Sequence, residues 1–314
     1  MKKLLLDLLI CPSCLPDENA LSPRIVEAKG EDIITGDLTC RRCDSVYSIR
    51  DGIAFIGPAL RNGTIHAGSK YETAPVLSSY IWSHYCDLLL NEENASDAYN
   101  RWADLLSSRS GIGIDAGSAV GRFTFEMSDK SDFAVGIDNS LSFIKSARAL
   151  MKDRRITVPL QNEGYLSREM TVVLPEKWDS NKVEFIVGDA QAMPFKSQSA
   201  SSLASLNLID KVPAPLKHLK EVDRVAKKKD VQLLFSDPFS WSTDVTGEEN
   251  WLGGKNNGLY SGSGVENIIG FLRGEKGDLS ARWKIEKRGS IWWKIRTHSN
   301  HYELIRSCFI KANR

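Results

Sequence analysis

The sequence lacks any long hydrophobic run; nothing in it approaches the ~18 apolar residues a membrane-spanning helix needs. It lacks an excess of either charge, with 41 Lys and Arg against 40 Asp and Glu and a net charge of +1. That balance excludes a surface built throughout to hold nucleic acid, although a local basic patch can hide inside the average. There is no internal repeat and no low-complexity tract. The opening Met1–Cys11 resembles an export leader only briefly. Asp7 interrupts a short apolar stretch, and no small residue precedes Cys11 as a cleavage site requires, so the reading is a short amphipathic helix and a cytoplasmic protein without a membrane anchor. What is present is ordinary: 314 residues, 42% apolar and 26% charged, enough for a buried core and, at about 150 residues each, for two domains.

Of six cysteines, four form two C-x-x-C pairs, Cys11-Pro12-Ser13-Cys14 and Cys40-Arg41-Arg42-Cys43. Two such knuckles supply four thiolates in a tetrahedron, the donor set of structural zinc. Between them Val26, Ile33, Ile34 and Leu38 suffice for short strands. Two disulfides or buried unliganded thiols are the alternatives, the disulfides disfavoured in the reducing compartment that the missing export signal implies. A coordination sphere closed by four thiolates holds a fold and activates no water. Cys86 and Cys308 stand alone in apolar surroundings and read as small buried hydrophobes. The run Leu5–Cys14, then Leu38–Cys43, then Tyr47-Ser48-Ile49-Arg50-Asp51-Gly52-Ile53 resembles the small zinc-ribbon activator subunit of tRNA, rRNA and protein methyltransferases, over about residues 1–57. The resemblance implies a ribbon fused to the kind of enzyme that subunit stabilises.

Gly57-Pro58 and Arg61-Asn62-Gly63 break the pattern and place a boundary there. A linker and helical preface follow over 58–110. Val76, Leu77, Tyr80, Ile81, His84, Tyr85, Leu88 and Leu89 recur at helical spacing, as do Ala98, Trp102, Leu105 and Leu106. The third unit, 111–314, begins at Gly111-Ile112-Gly113-Ile114-Asp115-Ala116-Gly117-Ser118-Ala119-Val120-Gly121. Ile112 and Ile114 predict a buried strand, and Gly117 and Gly121 a turn that lets backbone approach a ligand. A dinucleotide fingerprint starting at Gly111 would put the loop where the strand must run. The Asp-x-Gly-x-x-x-Gly pattern instead resembles the cofactor loop of S-adenosylmethionine methyltransferases, with Ala119 in place of a usual glycine.

The segments that follow fit that layout. Phe133–Asp138 is a strand ending in an acid 21 residues after Gly117, near the ~20-residue offset of a ribose-binding carboxylate. Ser140 can cap the next helix. Val183–Ala190 is a strand ending at Asp189, a candidate for the adenine amino group with Met193-Pro194-Phe195 beside the ring. Leu203–Asp210 and Val231–Phe235 are further strands, and long strands near 283–296 and 300–312 make a closing hairpin. Lys227–Lys229 complements a helix C-terminus rather than nucleic acid. Any one of Asp115, Asp138 and Asp189 can be a helix cap; all three in order point to a ligand crevice. The expected fold is α/β, a doubly wound seven-stranded Rossmann-like sheet plus the ribbon. Cofactor contacts are expected from Asp115, Ala116, Gly117, Ser118, Gly121, Asp138, Asn139, Asp189, Ala190 and Asn207.

Tyr71-Glu72-Thr73, Tyr80, His84-Tyr85, Asn207–Pro213, Ser236–Trp241 and Glu249-Asn250-Trp251-Leu252-Gly253-Gly254 resemble the mercaptohistidine methyltransferase family, the C-terminal domain of ovothiol-forming enzymes, over about residues 70–312. The resemblance implies methyl transfer to an imidazole nitrogen of a thiol-bearing histidine. Departures are the ribbon, a long segment from 154 to 182, and a polar insertion at 274–281. Asp210, Asp237 and His84 are then candidates to orient or deprotonate the acceptor, and Tyr71, Asn207, Trp241 and Trp251 to wall its pocket. For His84 a satisfied buried position is the commoner role, and Trp251 is equally a packing anchor. Asn207-Leu208-Ile209-Asp210 is not the Asn/Asp-Pro-Pro-aromatic motif that grips planar amino nitrogens. Two alternatives stand beside the small-molecule enzyme. One is an RNA methyltransferase whose ribbon holds RNA, against which residues 1–60 carry seven Lys and Arg and nine Asp and Glu, a poor phosphate clamp. The other is a degenerate domain that serves as a scaffold.

Overall fold

The computed structural model describes residues 1–63, 70–277 and 279–314. Residues 64–69, inside the expected linker, and Asp278, inside the expected polar insertion, lie outside the described residues. The strands are β1 (Leu21–Lys29), β2 (Asp32–Cys40), β3 (Val46–Arg50), β4 (Ile53–Ile56), β5 (Ile112–Ala116), β6 (Phe133–Asp138), β7 (Arg155–Glu163), β8 (Leu166–Val173), β9 (Val183–Gly188), β10 (Ala200–Leu206), β11 (Gln232–Asp237), β12 (Lys284–His298) and β13 (His301–Asn313). The helices are α1 (Ala74–Tyr85), α2 (Ala98–Ala103), α3 (Arg122–Ser128), α4 (Leu141–Asp153), α5 (Pro215–Val225) and α6 (Gly264–Leu272).

Seven strands run in the order β9-β6-β5-β10-β11-β13-β12, parallel from β9 to β11 and closed by the antiparallel β13 and β12. Every residue of β9, β10 and β11 is buried, as in parallel strands covered on both faces. The serines of β10 are tolerated because each has a partner. Ser201 Oγ donates to the Ile112 carbonyl, Ser202 Oγ accepts from Gln232, and Ser205 Oγ bonds His218 Nε2 at 2.9 Å. The strand stops at Leu206, shorter than its apolar pattern predicts, and Asp210 falls in the following 3-10 turn. Likewise α2 stops at Ala103, before Leu105 and Leu106, and α5 at Val225, before the lysine run. The long segment after residue 154 is a separate β7–β8 hairpin, which no apolar period had marked.

The ribbon does not stand apart. Its antiparallel strands β1-β2-β3-β4 continue the sheet to eleven strands, because Phe55 and Ile56 of β4 pair in parallel with Val187 and Gly188 of β9. A second seam joins Leu8–Ile10 to Pro194–Lys196, where Ile10 N donates to Pro194 O at 2.9 Å and Lys196 N to Leu8 O at 3.0 Å. Leu5, Leu9, Leu38 and Tyr47 share one core with Ile137, Ile186, Met193 and Phe195. Met193 and Phe195 are therefore spent on the ribbon contact, not on the border of a ligand ring as the sequence suggested. At the same seam Glu184 of β9, fully buried, is paired with Arg148 of α4 and accepts from Lys2 N at 2.6 Å.

Candidate active site and metal centre

The C-terminal ends of β5, β6, β9 and β10 open into a cavity of about 450 Å³. This is the crevice where the strand order reverses about β5, the usual ligand position in such sheets. Of the residues singled out by sequence, Asp115, Gly117, Ser118, Asp138, Asn139, Asp189, Ala190, Asn207, Tyr71 and His84 line it. Ala116, Gly121, Asp210, Asp237, Trp241 and Trp251 are not among the lining residues.

The glycine turn is built as its sequence requires. Gly117 has φ +77°, and a Cβ there would meet the Leu208 side chain at 2.9 Å. Gly121 has φ +88°, with the Phe185 ring 2.7 Å from any added Cβ, and so lets α3 start against the sheet. Ala119 takes the left-handed φ of +45° that a glycine would hold more easily, and its N–H donates to Asp138 Oδ2 at 3.0 Å. Asp138 Oδ1 accepts from Ser140 N at 2.8 Å, leaving other lone pairs toward the cavity. Burial raises the Asp138 carboxyl to about 6 despite these bonds, and the Asp115 carboxyl, bonded by Thr124 Oγ1 at 2.7 Å, to about 7. Ser118 Oγ is buried with no hydrogen-bond partner among the described residues. Under the Asp189–Ala190 corner, His218 Nδ1 bonds the Ala190 carbonyl at 3.0 Å and its other nitrogen is held by Ser205, fixing that turn.

The other half of the cavity is walled by rings, of which sequence reasoning had named Tyr71 alone for the acceptor pocket. Tyr71 and Tyr80 meet edge-to-face at 5.9 Å, and Phe143 lies 5.7 Å from Tyr71 and 4.8 Å from Tyr80. Tyr99 and, from the hairpin, Trp293, Ile295, Glu303 and Ile305 complete the wall. The signal was there: alternation along β12 and β13 puts these four on one face. His84 is buried, its Nε2 bonded to Tyr99 Oη at 2.8 Å, and burial then the Arg122 charge lower it to about 3, so it is neutral at ordinary pH. Arg122 fixes this corner by donating to the His84 carbonyl at 3.0 Å and pairing with Asp87 and Glu126.

Asp210 and Asp237 act beneath the cavity. Asp237 Oδ2 accepts from Ile209 N at 3.1 Å and Oδ1 from Phe239 N at 2.7 Å; Asp210 Oδ2 accepts from Ser240 N at 2.8 Å and Lys211 Nζ at 3.0 Å. They tie the loops after β10 and β11 together. Burial and then the Asp210 charge push the Asp237 carboxyl well above the usual range. Trp241 and Trp251 stack on one another at 6.3 Å, and Trp251 Nε1 donates to the Thr246 carbonyl at 3.0 Å; their rings are used in packing the loop over residues 241–263.

In the ribbon, the four sulfurs of Cys11, Cys14, Cys40 and Cys43 lie within 4.8 Å of one another. Cys11 and Cys43 are 3.6 Å apart and Cys14 and Cys40 3.7 Å. A tetrahedron with ~2.3 Å metal–sulfur bonds has edges of about 3.8 Å, so the donor set fits one tetrahedral ion such as zinc. Tyr47 Oη lies 3.3 Å from Cys11 Sγ and 2.8 Å from Ser13 Oγ, and Ser45 Oγ 3.2 Å from Cys43 Sγ, hydroxyls placed to donate to thiolates.

A seven-stranded sheet with this order, a glycine turn after its first strand, and acids at successive strand ends fit the fold of the S-adenosylmethionine-dependent methyltransferase class. Residues 114–231 match the family described as methyltransferase domain, and residues 2–52 the family described as Trm112p-like protein. The chain thus carries a Trm112p-like domain and a methyltransferase domain, and is an enzyme of that class. No curated protein matches it. Among solved structures it is similar to a complex between the Haloferax volcanii Trm112 methyltransferase activator and a methyltransferase (13% identity, 79% of this chain and 98% of that chain, TM-score 0.48). It is also similar to a SAM-dependent methyltransferase from Methanosarcina mazei (17%, 67% and 95%, TM-score 0.44) and to a protein from Pyrococcus horikoshii (18%, 74% and 96%, TM-score 0.44). Among the described residues no helix is long and apolar enough to cross a membrane.

Proposed function

We propose that the chain methylates a small molecule, and that the acceptor atom is an imidazole nitrogen of a thiol-bearing histidine. The observation that carries the small-molecule part is the cavity itself: about 450 Å³, walled on its acceptor side by Tyr71, Tyr80, Phe143 and Trp293 rather than by an open basic groove. The imidazole acceptor rests on the resemblance of the Asn-Trp-Leu-Gly-Gly and neighbouring segments to the mercaptohistidine methyltransferase family.

The division proposed is ribbon 1–57, linker and helical preface 58–110, and transferase 111–314. S-adenosylmethionine, when bound, supplies an activated methyl on a sulfonium, so the protein has only to place, desolvate and keep unprotonated the nucleophile. Asp138 accepts the ribose hydroxyls, the 117–121 turn admits the amino-acid portion beside Asp115, and Asp189, Ala190 and Asn207 border the base and sulfur ends. On the acceptor side Tyr71 and Tyr80 wall the ring, and neutral His84 shapes the pocket without adding charge. Asp210 and Asp237 position the two loops rather than take the proton. The four-cysteine site holds structural zinc and stiffens the ribbon that covers the β9 edge.

The test is transfer of label from S-adenosylmethionine to a panel of mercaptohistidine, histidine and total RNA. Label in mercaptohistidine alone supports the reading. Label in RNA overturns it in favour of an RNA methyltransferase, and absence of label from the whole panel with the cofactor bound overturns the assigned acceptor.

A further inference from the structure

The β12–β13 hairpin is cationic, with seven Lys and Arg against two acids, Glu286 and Glu303. Register places Glu303 opposite Ile295 and Ile305 opposite Trp293, and all four line the cavity. The intervening Trp292, Lys294, Leu304 and Arg306 belong to the opposite face of the hairpin. Alternation therefore puts this exposed carboxylate beside aromatic and aliphatic residues that line the cavity, with Lys294, Arg296 and Arg306 on the other face of the hairpin.

That carboxylate has no hydrogen-bond or ion-pair partner among the described residues. Neither lysine lining the same cavity pairs with it: Lys211 Nζ is 3.0 Å from Asp210, and Lys70 Nζ lies over the Tyr71 ring at 5.3 Å. Tyr80 and Phe143 line the same cavity, and their ring faces attract a cation as well as a flat ring. Burial first, then Tyr71, Asp138 and Glu303, raises the Tyr80 hydroxyl, which stays protonated. A carboxylate on a mostly apolar wall selects charge: it favours an ammonium and repels a second carboxylate.

We propose that Glu303 anchors a cationic group of the methyl acceptor, so that the acceptor is a small ring-bearing ammonium compound, an amino acid or its amine. The proposal rests on the small-molecule reading and adds to it a specificity-determining residue. It does not depend on the ring being imidazole.

The experiment uses the full chain saturated with S-adenosylhomocysteine and two matched pairs of probes, histamine with imidazolepropionate and tyramine with 4-hydroxyphenylpropionate, titrated calorimetrically into wild type and Glu303→Gln. Each pair shares a ring and differs in the charge at the end of its side arm. In wild type the amine of at least one pair is expected to bind about tenfold or more tighter than its carboxylate twin, and Glu303→Gln to remove most of that preference, the size of a charge-assisted hydrogen bond. Affinity for S-adenosylhomocysteine is expected to stay the same. Twins that bind wild type alike, a preference that survives Glu303→Gln, or no binding by either pair overturns the proposal. So does a parallel loss of S-adenosylhomocysteine affinity, which would put Glu303 on the cofactor. Ring identity reads the other question: tyramine bound as well as histamine removes the imidazole acceptor while the amine preference keeps Glu303 in place.

Discussion

Replacing Glu184 by Ala strands a charge where ribbon and transferase meet. Glu184 and Arg148 are 0% and 3% exposed and bonded to one another, and Glu184 also accepts from Lys2 N of the ribbon. Burial alone would raise the Glu184 carboxyl, but Arg148 and the cations at the chain start outweigh it and hold it below its ordinary value. Its folded-state pKa is thus depressed, and its contribution is present at neutral pH and lost as pH falls through the acid range below 4.5. Among the described residues Arg148 Nε and Nη2 already lack hydrogen-bond partners, so removing Glu184 takes away the charge that compensates that guanidinium. Breaking such a pair costs about 3–5 kcal/mol, on the order of 10 °C in Tm. Thermal and urea unfolding followed by circular dichroism measure it. Replacing both partners by Met should recover most of the loss, since an apolar pair carries no desolvation penalty. A loss below about 1 kcal/mol for Glu184→Ala, or no recovery in the double variant, would refute the view that this pair anchors the seam.

Three other outcomes follow from the geometry. Removing zinc by a thiol-competing chelator, or Cys40→Ser, should release one equivalent of metal and lower the unfolding temperature of the whole chain, because ribbon and transferase share a core; a metal-free protein with an unchanged melt contradicts a structural role. Gly121→Ala should destabilise by about 1–3 kcal/mol, because the left-handed backbone and the Phe185 ring both oppose a Cβ; a variant as stable as wild type in urea would contradict that packing. The Asp138 carboxyl at about 6 is raised, so the folded chain holds a proton that the unfolded chain has lost between 3.8 and about 6; this contribution to stability is present at the low end and lost as pH rises through 6. Cofactor binding should take the opposite course, weakening as pH falls below about 6 and releasing a proton, read by calorimetry in buffers of different ionisation enthalpy; a flat profile removes Asp138 from the binding site.

Much of this was legible from the chain because the parallel strands are buried on both faces. Ile112–Ala116, Phe133–Asp138 and Val183–Gly188 stand out as apolar runs that end at acids, and the four cysteines specify their own cluster. The closing hairpin was visible by length alone. What escaped depends on pairings no local period encodes. The two-residue contact of β4 with β9 joins positions more than a hundred residues apart, and the seam of Leu8–Ile10 with Pro194–Lys196 turned Met193 and Phe195 from ligand neighbours into core. The β7–β8 hairpin is largely exposed, so it carries little apolar pattern. The hairpin's share of the cavity wall was missed because alternation reveals that Trp293, Ile295, Glu303 and Ile305 share a face but not which face meets the cavity. Trp241 and Trp251 were chosen for their chemistry, and their stacking uses them in the loop instead.

The central claim, a methyltransferase that holds its cofactor through Asp138 and carries its own ribbon, is tested most directly by titrating S-adenosylmethionine into the purified chain with no second protein added, alongside Asp138→Asn. The account predicts one site in the wild type and at least about a tenfold loss of affinity in the variant, with the melting curve retained. No binding by the chain alone, or equal affinity in the two proteins, would contradict it.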